Sequence, residues 1–166
     1  MNYAAIKTCD FANGPGVRVS LFVSGCTLGC DGCFNADAQD FTYGQQFDDT
    51  TSETVLRLLT PEYVRGLSVL GGEPFEPQNI PALTSFLQTV RAKRPDKDVW
   101  IYSGHTFEEI VTGDGAELLS LADVLVDGPF VKEKRDPTLQ FRGSSNQRMI
   151  DVRKSLESGC VVEYSQ

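Results

Sequence analysis

No apolar run in this chain is long enough to span a bilayer, and the stretch MNYAAIKTCDF lacks the charged-then-apolar pattern of a secretory signal. Both absences predict a cytoplasmic protein without a membrane partner. Positive charge is scarce: 15 lysines and arginines against 23 acids leave a net charge of −8. A nucleic-acid surface gathers basic residues on one face, so nucleic acid is not an expected partner. The basic runs Arg91-Ala-Lys-Arg94 and Lys132-Glu-Lys-Arg135 are interleaved with or followed by acids, and they read as solvated helix ends or loops. Internal repeats, low-complexity tracts and Pro/Gly/Ser linkers are missing, which predicts one domain over residues 1–166. Histidine is nearly missing too, with His105 alone.

Cysteine is present but unevenly spread. Of five, three fall in the stretch GCTLGCDGCF as Cys26, Cys30 and Cys33, each preceded by a glycine. An odd count with such crowding does not fit a disulfide framework; it fits a metal or catalytic site in a reducing compartment. Three soft thiolates on one tight loop suit iron with sulfide, or zinc. Structural zinc takes four protein ligands, commonly as two separated pairs. The chain has no second pair, and His105 is the one histidine that could complete a Cys-Cys-Cys-His set. Three ligands on a four-iron cluster would instead leave one iron open. Cys9 and Cys160 lie outside the pattern and read as buried or incidental thiols.

The rest of the chain has an α/β rhythm. Val17-Arg-Val-Ser-Leu-Phe-Val23 alternates with period two and reads as a strand that runs into the cysteine loop. Thr50-x-x-Glu53 offers a capping box ahead of the apolar face Val55, Leu56, Leu58 and Leu59. Leu67-Ser-Val-Leu70 is a second strand ending in Gly71-Gly72-Glu73-Pro74, and Ile80, Leu83, Phe86, Leu87 and Val90 follow at helical spacing. Val99-Trp-Ile-Tyr102 leads to Ser103-Gly104-His105, after which Thr106-x-x-Glu109 offers another cap. Leu118, Leu119, Leu121 and Ala122 then precede Val124-Leu-Val126 and the turn Asp127-Gly128-Pro129. Alternating strands and helices predict parallel pairing with right-handed crossovers, and ligands gather at the carboxyl ends of such strands. Each chemically suggestive segment follows a strand. A full eight-fold barrel takes about 250 residues, so the expected fold is a partial, open (β/α) barrel with a mostly parallel sheet.

Cys26-x-x-x-Cys30-x-x-Cys33 followed by the aromatic Phe34 resembles the radical S-adenosylmethionine enzymes. The resemblance implies one 4Fe-4S cluster held by Cys26, Cys30 and Cys33, with S-adenosylmethionine on the open iron. It also implies reductive cleavage to methionine and a 5′-deoxyadenosyl radical. Gly71-Gly72-Glu73-Pro74 resembles the family loop that holds the cofactor's amino group, and a carboxylate complements an ammonium. By the same resemblance Gly32, Cys33 and Phe34 lie against the adenine, and Ser103 and His105 fall near the ribose.

Asn13-Gly-Pro-Gly-Val-Arg18, Leu21-Phe-Val-Ser-Gly-Cys26, Cys33-Phe-Asn35, Asp127-Gly-Pro-Phe130 and Arg142-Gly-Ser-Ser-Asn-Gln147 narrow the likeness to the glycyl-radical activating branch. Within it they resemble the activases of anaerobic ribonucleoside-triphosphate reductase. That resemblance implies a protein substrate, the reductase, and a flavodoxin-like or ferredoxin-like electron donor. Asp127 is a candidate for positioning the glycine loop or cofactor, and Arg18 or Arg142 for binding a carboxylate. The alternatives are activation of another glycyl-radical enzyme such as a formate-lyase, or a non-catalytic zinc or iron–sulfur protein.

Overall fold

The computed structural model describes residues 1–165. Among them, seven strands form one sheet: β1 (Asn2–Asp10), β2 (Val17–Val23), β3 (Gln45–Gln46), β4 (Val64–Gly71), β5 (Asp98–Tyr102), β6 (Val124–Asp127) and β7 (Arg148–Asp151). The order is β3-β1-β2-β4-β5-β6-β7, an open sheet with β3 and β7 at its edges. The central strands β2, β4, β5 and β6 pair in parallel, as the strand–helix alternation predicts. The outer strands β1, β3 and β7 pair antiparallel, so the sheet is mixed.

Alternation along the strands separates two faces. Val19, Leu21 and Val23 of β2, Leu67 and Val69 of β4, Val99 and Ile101 of β5, and Leu125 of β6 point to one side. There they meet the apolar faces of α1 (Asp49–Leu58), α2 (Ile80–Lys93), α3 (Phe107–Thr112), α4 (Ala116–Ser120) and α5 (Val152–Ser158). Fully burying each Leu, Ile, Val or Phe contributes roughly 1.5–3 kcal/mol, so this layer holds the fold together. Arg91, in one of the basic runs, also belongs to the packing: it donates to the Leu121 carbonyl and pairs with Asp123 at 2.9 Å.

The buried apolar residues of all five α-helices belong to that first layer, and the opposite face is covered differently. Trp100, Val124 and Val126 are buried there against Phe141, Met149 and Tyr164. Arg18 crosses the same face, fully buried. Its guanidinium pairs with Asp98 at 2.6 Å, donates to Ser68 Oγ at 2.7 Å and to the Leu67 carbonyl at 2.8 Å, and lies 5.4 Å from the Trp100 ring. Those partners occupy it fully and hold the base of the sheet together. No described helix is long and apolar enough to cross a membrane.

Helix starts follow local chemistry. The Thr106–Glu109 capping box forms in both directions. The expected box at Thr50–Glu53 does not: Asp48, in extended backbone, caps α1 by accepting from the Thr51 N–H at 2.8 Å, which places Thr50 inside the helix.

Candidate functional site

The cysteine loop leaves the end of β2 and the Gly71–Pro74 loop leaves the end of β4, so parallel pairing of these strands sets the two loops side by side. Backbone hydrogen bonds then join them. Gly72 N–H donates to the Val23 carbonyl at 2.7 Å, and Glu73 N–H to the Gly25 carbonyl at 2.8 Å. On its other side the cysteine loop is tied to a short 3-10 turn, through Gly25 N–H to Ala38 and Cys26 N–H to Gln39. Gly72 allows this approach: a Cβ there would sit 2.5 Å from the Gly25 oxygen and 2.8 Å from that of Ala38.

Asn79 closes the junction from below. It is 1% exposed, and its Nδ2 donates to the carbonyls of Ser24 and Glu73, at 3.0 Å each. Asn79 immediately precedes α2, yet its side chain makes no capping bond. It links the two loops instead. Glu76, also buried, accepts from the N–H and hydroxyl of Thr27. Neither residue carried a signal in the sequence, since both contacts join segments about 50 positions apart.

A cavity of about 690 Å³ opens at the strand ends. The residues singled out from sequence for the cluster, the cofactor's amino group and the adenine all line it: Cys26, Cys30 and Cys33 with Gly32 and Phe34, and Gly71, Gly72 and Glu73. The three thiols are half-buried and unbonded to one another. Burial is the first cause that pushes the Cys26 thiol up, with the carboxylates of Glu73 and Glu76 adding to it. Among the described residues no three His, Cys, Asp or Glu side chains converge on a point that one metal ion would fill. Three soft donors around a cavity of this size fit a larger inorganic cluster.

Glu73 is 1% exposed and heavily bonded. Its Oε1 accepts from Phe75 N–H at 2.9 Å and Ser103 Oγ at 2.8 Å, and its Oε2 from Gly104 N–H at 2.8 Å. Burial raises the carboxyl above its ordinary range, and these donors, with His105, act against it. Ser103 thus serves Glu73. His105 is half-buried and does not line the cavity.

The remaining sequence candidates are placed differently from one another. Phe34 lines the cavity but is 82% exposed, so it is no part of a core. Asp127 turns to the helix side, where it accepts from Phe107 N–H at 2.8 Å and pairs with Arg148, which also grips Glu108. It anchors α3 and does not line the cavity. Arg142 does line it, with Nη1 on the Gln147 carbonyl at 3.0 Å. Cys9 and Cys160 are both exposed, so neither is a buried thiol.

The far wall of the cavity comes from residues 128–147, a largely irregular segment that includes Phe130, Lys132, Arg135 and Phe141. The Phe141 ring packs edge-on against Trp100 at 5.6 Å. The Tyr102 hydroxyl is buried at the floor without a partner, and burial pushes its pKa well above the usual phenol value.

Comparison with known proteins agrees with this geometry. A family model described as a 4Fe-4S single cluster domain matches residues 12–150, a span that contains the cysteine loop, the Gly71–Pro74 loop and the irregular wall. The chain is 40% identical over 149 residues to the anaerobic ribonucleoside-triphosphate reductase-activating protein of Haemophilus influenzae, covering 89% of this chain and 96% of that protein. It is 41% identical to the activating protein of the same name from Enterobacteria phage T4, covering 90% and 93%. The Escherichia coli K12 counterpart is 39% identical over 155 residues, covering 92% of this chain and 100% of its own length. With likeness of that extent running through the cysteine loop and cavity walls, the chain belongs to the family of anaerobic ribonucleoside-triphosphate reductase-activating proteins.

Proposed function

We propose that this protein activates an anaerobic ribonucleoside-triphosphate reductase by radical chemistry. The observation that carries the reading is the convergence on one cavity of the three cysteines with Gly71, Gly72 and Glu73, from two loops that the strand pairing alone brings together. In this reading Cys26, Cys30 and Cys33 would hold one 4Fe-4S cluster beside bound S-adenosylmethionine. Reduced, such a cluster would supply the one electron needed to cleave the cofactor's sulfonium, chemistry that would end in removal of a hydrogen atom from a backbone glycine of the reductase.

The chain's own residues do the holding. Glu73 complements the cofactor's ammonium while Ser103, Gly104 and Phe75 keep its two oxygens in place. The carbonyls of the Gly71–Gly72 loop supply further acceptors, and Gly32, Cys33 and Phe34 present backbone to the adenine. The exposed Phe34 ring also lies where a docking protein would cover it. Docking then excludes water from the radical. The single sheet with its helices on one face fits one open-barrel domain of the radical S-adenosylmethionine type, over residues 1–166 and working in the cytoplasm. A flavodoxin-like or ferredoxin-like donor supplies the electron.

The test is anaerobic. The protein is reconstituted with iron and sulfide, reduced and given S-adenosylmethionine, and 5′-deoxyadenosine is measured with and without an anaerobic reductase. Production with a glycyl radical signal on the reductase is the expected result. Cleavage without that signal overturns the substrate, and a loaded cluster that cleaves nothing overturns the radical chemistry. Cys26→Ala is expected to lose cluster and cleavage together.

A further inference from the structure

Glu76 lies outside the set of residues assigned to the cluster and cofactor. It is 6% exposed, and no lysine, arginine or histidine among the described residues forms an ion pair with it. Its Oε1 accepts from both Thr27 N–H and Thr27 Oγ1, at 2.7 Å each. Thr27 is bonded to Cys26, so the carboxylate is held one peptide unit from a cluster ligand. Its backbone is fixed as well: Glu76 N–H donates to the Glu73 carbonyl, and Asn79 N–H donates to the Glu76 carbonyl at 2.8 Å.

Hydrogen bonding to Thr27 does not require a charge, since a glutamine oxygen would accept the same two bonds. A buried carboxylate without a cation is expensive unless it is well hydrogen-bonded. What an amide would lack is the negative charge beside Cys26. The reduction potential of an iron–sulfur cluster responds to net charge, to hydrogen bonds near sulfur and to burial. Reduction adds an electron, and a fixed negative charge in a poorly solvated site opposes that addition.

We infer that Glu76 sets the potential of the cluster: its carboxylate, pinned by Thr27, lowers the midpoint potential and makes the reduced cluster a stronger reductant. Glu76 acts through charge and touches neither substrate nor iron, which makes it a positioning residue. The inference rests on the cluster reading above. The Asn79 side chain bonds the Ser24 and Glu73 carbonyls whatever side chain stands at position 76, so the junction of the two loops has support besides the Glu76 carboxylate.

The experiment uses the full chain, reconstituted anaerobically with iron and sulfide. Iron and sulfide per chain are counted, and the midpoint potential is read by spectroscopically monitored redox titration at fixed pH. Glu76→Gln is expected to load the same cluster and shift its potential to more positive values. Glu76→Asp keeps the charge on a shorter stem and is expected to stay nearer wild type than Glu76→Gln. Thr27→Val keeps the carboxylate and loses the hydroxyl bond, so no positive shift is expected. The exposed Glu157→Gln on α5 controls for remote charge and leaves the potential unchanged. An unchanged or more negative potential in a fully loaded Glu76→Gln protein overturns the inference, as does a positive shift in Thr27→Val. Wild-type protein that binds no iron and sulfide overturns the cluster reading instead, a result that potentials do not enter. Should Glu76→Gln not load, Thr27→Val and Glu76→Asp decide the matter, because a purely structural role moves both potentials and a charge role holds both near wild type.

Discussion

The Ser103 hydroxyl donates to Glu73 Oε1 at 2.8 Å, joining the ends of two neighbouring parallel strands across 30 residues of sequence. A hydrogen bond to a charged group is worth about 1.5–3 kcal/mol. Ser103→Ala frees one side of the carboxylate, and S-adenosylmethionine affinity is expected to fall about tenfold. Anaerobic calorimetry on cluster-loaded protein measures it, with iron content unchanged. Undiminished affinity would remove Ser103 from any orienting role.

Glu73 also predicts a pH dependence with two opposite signs. Burial raises its carboxyl above the ordinary 4.5, so the fold by itself favours the neutral form. That contribution to stability is fully present below 4.5 and is lost as pH rises through the raised value. Binding an ammonium needs the charged form, so cofactor affinity climbs through the same window. Glu73→Gln flattens the affinity profile and leaves the cluster in place. Titrating both proteins with cofactor over the acid side of neutrality is the check, and parallel profiles would rule out Glu73 as the ammonium's partner.

Asp127 is a matter of stability. Its carboxylate takes Phe107 N–H and the Arg148 guanidinium on the face away from the cavity. Asp127→Ala is expected to cost about 2–3 kcal/mol in chemical denaturation, because a buried donor and a guanidinium lose their acceptor. Cofactor affinity of the folded fraction stays at the wild-type value. A lower affinity with unchanged stability would return Asp127 to the site.

Gly72→Ala tests the close approach of the loops. The three atoms that an added Cβ would meet, the Gly25 and Ala38 oxygens and the Gly25 carbonyl carbon, are all backbone and move only with their chain. Overpacking of this kind costs about 1–3 kcal/mol, and here the displaced segments are the cofactor loop and the cysteine loop. Far-ultraviolet circular dichroism is expected to stay native while S-adenosylmethionine binding drops. Binding at wild-type strength would mean that the loops tolerate separation.

The residues that converge on the cavity were easier to read in the sequence than the architecture that brings them there. Cys26, Cys30, Cys33 and Gly71–Glu73 were legible because each motif is local and each follows a clean β pattern. The parallel centre was legible for the same reason. β1 was not, since one side is largely exposed and its apolar residues do not alternate cleanly. β7 is four residues long with only Ile150 fully buried. Glu76, Asn79 and the turned-away Asp127 were invisible because their partners are set by tertiary packing. Arg18 read as a ligand-binding cation, yet Asp98, Ser68 and Leu67 use it up far along the chain.

The backbone bonds that sew Val23 and Gly25 to Gly72 and Glu73 run between main-chain groups, over a layer of buried helices. Replacing a cysteine side chain therefore leaves them in place, and the two loops keep their register to each other whatever the thiols hold. The labour is divided between a backbone that fixes where the loops stand and side chains that decide what they grip.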